Sequence, residues 1–150
     1  MSFRFPLATV LRYRESLEQR EYFALERIQQ EVSHVELRIR QVEEELSAAV
    51  HNRAAQLAHG VPAAEVQTAY EYSRALEEQD RGLQNLLKEA KMKWRQQLAS
   101  YELARRNRET LEKLREKQFE AFSKEQVKRE QAVIDDLFLS RHGSRRGHGH

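Results

Sequence analysis

Cysteine is absent from the 150-residue sequence, which excludes disulfides and thiolate metal ligands and fits a reducing compartment. Proline occurs twice and glycine five times, and three of the glycines fall in the last eight residues. Between residues 7 and 139 only Gly60, Pro62 and Gly82 interrupt the chain. So few breakers exclude a fold of many short elements and favour very long helices. Apolar residues make up 39% and aromatics 8%, whereas a typical domain is about 45–50% apolar. Such a chain cannot fill a thick core. It can fill a seam between two helices, where only two positions in seven need be apolar. No window approaches the roughly 18 apolar residues of a membrane span, and the start of the chain lacks the continuous apolar stretch of a signal peptide.

A surplus of one charge is also missing. The 26 basic and 24 acidic residues leave a formal net charge of +2 and are interspersed along the chain, as on a solvated helical surface. Residues 102–131, the most arginine-rich stretch, carry nine basic against seven acidic residues. That is not the clustered positive stripe of a phosphate-binding surface, so no nucleic-acid partner is expected.

What the sequence does contain is periodicity. Ile28, Val32, Val35, Ile39, Val42, Leu46 and Ala49 follow one another at steps of four and three, the seam of a coiled coil. Leu7, Val10, Leu11 and Leu17 keep a similar rhythm upstream. A second series runs through Leu76, Leu83, Leu87, Ala90, Trp94, Leu98, Tyr101, Arg108 and Leu111, with Asp80 between the first two. Between the two series lies "AQLAHGVPAAEV", in which Gly60 suits a left-handed helix cap and Pro62 the first turn of the next helix. Gly82 sits inside the second series as either a kink or room for the opposite helix, and the helix is expected to continue through it. Glu109–Lys113, Glu120–Lys124 and Glu125–Arg129 have the spacing of helix-supporting pairs.

The expected fold is therefore all-α: a long antiparallel two-helix coiled-coil hairpin over residues 1–141. Helix one spans about 7–58, the turn about 59–62 and helix two about 63–139. Residues 142–150, rich in Gly, His and Arg, are expected to form a disordered tail. Folding about residue 61 pairs residue i with roughly 122 minus i. Helix two then overhangs helix one by about 25 residues, on the spacing of the seam. The overhang carries Phe119, Phe122, Val127, Val133, Ile134, Leu137, Phe138 and Leu139, and exposed apolar patches of this kind mark partner surfaces. Phe3 and Phe5 lie at the same end. They either pack against helix two near Phe119 and Phe122 or meet a partner. Of Tyr70 and Tyr72, two apart, one is expected at the seam and the other outward, where Tyr72 beside Leu76 would suit a protein-binding patch.

Catalytic chemistry has little to work with. There is no glycine-rich phosphate loop and no nucleophile–histidine set. His34 reads as a half-exposed helical residue flanking the seam. His51 and His59 lack a carboxylate at ligand spacing, and His142, His148 and His150 fall in the tail, so no metal or other cofactor is expected. The run Glu43–Glu45 reads as a solvated face. No enzyme activity and no small-molecule substrate are expected.

The opening "FRFPLATVLRYRESLEQRE" resembles the start of FliJ-type flagellar export proteins, in which F-x-F-P-L leads into L-x-x-V-L. Phe3, Phe5, Pro6, Leu7, Val10, Leu11 and Glu15 match, with Arg12 and Arg14 supplying basic character. The closing "EKQFEAFSKEQVKREQAVIDDLFLSR" is similar to that family's end at Lys128, Arg129, Glu130, Gln131, Asp135, Asp136 and Arg141. The middle matches by coiled-coil character alone. The resemblance implies a non-enzymatic, stalk-like component of the flagellar type III export apparatus. Such a protein binds and stimulates the hexameric export ATPase, contacts the export gate in the membrane and engages export chaperones. It implies a cytoplasmic location, peripheral to the inner membrane at the flagellar base. On this resemblance, Phe3, Phe5, Leu7, Arg12, Arg14, Phe119, Phe122, Arg129, Asp135 and Asp136 are expected to meet the ATPase, and Tyr72 and Leu76 the gate. The competing readings are a stalk of a virulence-type III secretion system and a generic structural or RNA-holding hairpin.

Overall fold

The structure, a computed structural model, describes residues 2–147, with side chains for 2–144. The described residues form two helices and no strand: α1, Ala8–His59, of 52 residues, and α2, Ala63–Gly147, of 85 residues. The boundaries at the turn fall within a residue of expectation. α2, however, continues to Gly147, past the expected end near 139. Phe138 stacks on His142 one turn later, with ring centroids 4.3 Å apart, which supports the added turns. Of the expected tail, residues 148–150 lie outside the described residues.

The turn has a local cause. Gly60 adopts φ 71°, the left-handed conformation that closes α1, and no other described residue has positive φ. The Pro62 carbonyl then accepts from the Glu65 and Val66 amides at 3.1 and 3.3 Å and starts α2. Glu65 adds a carboxylate in the first turn, where the helix dipole favours it.

The chain divides into two compact units. Residues 19–103 make the larger one, in which a stretch of α1 packs antiparallel on a stretch of α2. Gln97 donates to the Glu21 carbonyl at 3.0 Å, Tyr22 and Tyr101 lie 5.8 Å apart, and Arg53 sits 4.4 Å over the Tyr70 ring. These pairs follow the expected fold-back about residue 61 to within a turn of helix. Every seam residue from Ile28 to Ala49 is buried or half-buried, and Val42 is fully enclosed. Leu76 and Ala90 are buried across from them.

Polar atoms interrupt this seam. Ser73 is buried with its Oγ unpaired, and Asp80 Oδ1 is enclosed without a donor. Each such group costs free energy that an apolar side chain would not. Gly82 is neither a kink nor a point of close approach. α2 runs through it unbroken, and a Cβ there would meet nothing within 4 Å.

Residues 1–18 and 104–150 make the second unit. Here Arg108, at a seam position, donates from Nη2 to Glu18 Oε1 at 3.2 Å and from Nη1 to Glu112 Oε2 at 2.6 Å, while its Nε meets the other Glu18 oxygen. Arg108 and Glu18 side chains are 20% and 18% exposed, so this bidentate pair is largely removed from water. Of the expected helix-supporting pairs, Glu125–Arg129 forms at 3.6 Å. Glu109 instead reaches back to Arg105 at 3.0 Å, because Arg105 lies one turn earlier on the same face as Glu109.

Two stability predictions follow from these contacts. Gly82→Ala should stabilise the chain by about 0.5–1 kcal/mol through helix propensity. Gly60→Ala should destabilise it by about 1–2 kcal/mol, because alanine resists the left-handed conformation. Paired urea titrations with opposite signs bear this out; equal signs contradict it. For Glu18 and Arg108, a double-mutant cycle of alanine substitutions should return a coupling of about 1–2 kcal/mol. A coupling near zero would mean the pair is a solvated surface contact.

Candidate functional site

The second unit gathers the chemistry-bearing side chains. Residues 2–5 run extended before the turn at Pro6–Leu7, and the Ala8 amide donates to the Phe5 carbonyl at 3.1 Å to open α1. Proline fixes the direction of entry, since its φ is preset. The extended segment lies against α2. Phe3 meets Phe119 edge-on with centroids 5.4 Å apart and Phe122 at 5.5 Å. Of the two readings of the opening aromatics, local packing is therefore the one observed. Phe5 is buried, with Leu11 next to it in the core.

Exposure sorts the expected contact residues. Leu7 is 37% and Phe119 53% exposed. Arg12, Arg129, Asp135 and Asp136 are exposed, and Phe3, Arg14 and Phe122 are half-buried. Phe5 is buried and offers no free side chain. From Val127 to Ser144 every residue is exposed, including Val133, Ile134, Leu137, Phe138 and Leu139. Of the overhang expected to carry Phe119 to Leu139, Phe122 is half-buried, Phe119 is exposed, and the continuous uncovered stretch begins at Val127. Phe3, packed on Phe119 and Phe122, covers that part of α2 only in part.

Two open grooves flank Phe3. One, of about 540 Å³, is bordered by Phe3, Arg4, Phe5, Ala8, Leu11, Arg12, Glu15 and Arg115. The other, of about 570 Å³, is bordered by Phe3, Glu112, Arg115, Glu116 and Phe119. Among the described residues Arg4, Arg12 and Arg115 have no ion-pair partner. Three guanidiniums on an apolar floor suit an acidic, partly apolar segment. Reading the sequence did not single out Arg4 or Arg115. Arg115 lies 111 residues from Arg4, and only the fold-back index could have joined them. Arg108, deeper in this unit, is held well above its usual pKa by the hydrogen-bonded Glu18 carboxylate, with burial opposing. It remains a fixed cation.

In the other unit, the expected gate pair divides. Tyr72 is 53% exposed, but Leu76 is buried at 4%. Its seam position places its side chain between the helices, so it is not a surface contact. Tyr70 is also exposed, at 49%. Neither tyrosine occupies the seam, which passes instead through Ala69 and Ser73 on either side. Tyr22 and Phe23, both exposed, and the half-buried Tyr101 form an aromatic group in this unit, with Tyr22 and Phe23 6.1 Å apart. The Glu26 carboxylate one turn on holds the Tyr22 hydroxyl above its usual pKa. Tyr101 belongs to the second apolar series, whereas Tyr22 and Phe23 gave no sign in the spacing. Among the described residues no group of His, Asp and Glu is arranged to hold a metal ion, and no helix is long and apolar enough to cross a membrane.

No curated protein matches the chain. No solved structure matches it either. A family model does: the one described as "Flagellar FliJ protein" matches residues 3–147, nearly the whole chain. Both ends that resemble that family, and the helical hairpin between them, fall inside the match. The chain belongs to the FliJ family of flagellar proteins and is a component related to flagellar protein export.

Proposed function

We propose that this FliJ-family chain is a non-enzymatic part of the flagellar export apparatus that binds and stimulates the hexameric export ATPase. The observation that carries the reading is the unit of residues 1–18 and 104–150. There, uncovered apolar side chains from Val127 onward occur on the same unit as a groove with three unpaired guanidiniums. Phe3, Leu7, Arg12, Arg14, Phe119, Phe122, Arg129, Asp135 and Asp136 make the contact, and Phe5, buried, borders the groove without a free side chain. The charge of the groove calls for an acidic patch on the ATPase, and charge pairs at such a rim chiefly set encounter rate and salt dependence.

Contact with the export gate is assigned to Tyr72, an exposed aromatic of the kind that anchors interfaces. Leu76 is dropped from that assignment because it is buried. Engagement of export chaperones, and a cytoplasmic location peripheral to the inner membrane at the flagellar base, belong to the same reading and come with those partners. A virulence-type secretion stalk gains no support, since the matching family is flagellar.

The test is the activity of the cognate export ATPase with and without this chain. Stimulation is expected with the full chain. Deleting residues 1–14 or 125–141 should abolish it while far-UV circular dichroism stays largely helical. Arg12→Glu with Arg115→Glu should reduce it several-fold at low salt and less at high salt, as screening predicts. If both truncations stimulate as well as the full chain, the contact lies elsewhere. For the gate, Tyr72→Ala should weaken binding of the gate's cytoplasmic domain by about tenfold, as for an aromatic anchor, and leave ATPase stimulation intact. Loss of both together would point to misfolding.

A further inference from the structure

The exposed stretch of α2 carries a second seam that the hairpin does not use. Val127, Glu130, Ile134, Leu137 and Arg141 follow at steps of three and four, the spacing of core positions in a coiled coil. All five are exposed in the structure. Val133 and Phe138 widen the apolar face around Ile134 and Leu137, each more than half exposed. Helices in proteins are stabilised mainly by packing an amphipathic face, not by propensity. Here such a face is formed, and among the described residues it is left exposed.

Two charged residues at core positions say what fits there. Glu130 and Arg141 stand 11 residues apart, about 16 Å along the helix, too far to pair within one chain. Neither has an ion-pair partner among the described residues. A second copy laid parallel would set Glu130 against Glu130 and Arg141 against Arg141, which is repulsive. A second copy laid antiparallel, crossing between residues 135 and 136, does the reverse. Ile134 then faces Leu137 of the second copy, and Glu130 faces Arg141. By symmetry each contact occurs twice, so two ion pairs close the ends of one apolar cluster. A charged residue at a core position fixes register and orientation in this way.

We infer that the free chain forms an antiparallel homodimer through residues 127–141 of α2, with Glu130 paired to Arg141 of the second copy at both ends. The dimer is a property of the chain alone and does not depend on the ATPase reading. It covers the same stretch of α2 that reading leaves open, so pairing and ATPase binding exclude one another.

Sedimentation of the full chain at low salt, up to about 100 μM, tests this, with circular dichroism as the check on folding. The wild type should sediment as a dimer whose dissociation constant rises with salt. Glu130→Arg and Arg141→Glu should each weaken self-association at least about tenfold, because each sets like charges together twice. Mixing the two single variants should restore association. The double variant, Glu130→Arg with Arg141→Glu, should dimerise as the wild type does; it is the weakening by the single variants that a parallel pair, with like charges already together, would not show. A monomeric wild type overturns the inference, as do single variants that dimerise undiminished, or a double variant that stays monomeric while helical. In either of the last two cases another surface or another protein covers this face.

Discussion

The narrow apolar seam is the constraint from which the other features follow. At 39% apolar residues the chain has no material for a thick core, and burial of apolar area is the main force available to fold it. The only surface that can take a stripe two residues in seven wide is another stripe of the same kind. Val32, Ile39 and Val42 on α1 and Leu76 and Ala90 on α2 are the outcome: a thin row of buried side chains with charged residues on both flanks. A seam this thin is specified less by volume than by phase. Its polar positions then matter out of proportion to their number. Ser73 and Asp80 weaken it where they stand, while Arg108 with Glu18 and Glu112 converts one layer into a directed ion-pair network. Such a network penalises a slip in register, because a slip leaves a buried cation without its carboxylates.

Unequal helix lengths turn this constraint into a functional surface. α1 has 52 residues and α2 has 85, so α1 cannot cover all of α2. The extended segment before α1 covers part of the remainder through Phe3 and Phe5. Beyond it, α2 keeps the amphipathic pattern with no mate in the same chain. The residues there are not a random scatter of exposed apolar groups. They hold phase with one another and carry opposite charges at its ends, which suits replacement of one partner by another. On a surface completed only by binding, the ordering cost and the burial gain fall together on association.

Much of this was legible from the residues. The seams, the reversal at Gly60 and the uncovered end of α2 rest on local rules of spacing, and the structure follows them. Leu76 reads as a seam residue from its spacing, while its neighbour Tyr72 suggests a surface contact. Burial decides for the first. Tyr70 and Tyr72 mislead for a related reason. Two residues two apart on a helix differ by about 200° in direction, so one was expected inward, but the seam passes between them at 69 and 73 and leaves both outside. Glu109 chose Arg105 over Lys113 although both are one turn away, and spacing cannot rank two such neighbours.

The sequence by itself determined that this chain is two long helices joined at Gly60, which faces of them are apolar, and where the longer one runs out of cover, because helix propensity, breakers and periodicity are properties of neighbours along the chain. Only the tertiary structure decided that Phe3 folds onto Phe119 and Phe122, that Arg4, Arg12 and Arg115 share a groove, and that Arg108 belongs to Glu18. Those meetings depend on the axial stagger and rotation of one helix against the other. A shift of a single turn, about 5.4 Å, would change every one of them and leave the periodicity untouched.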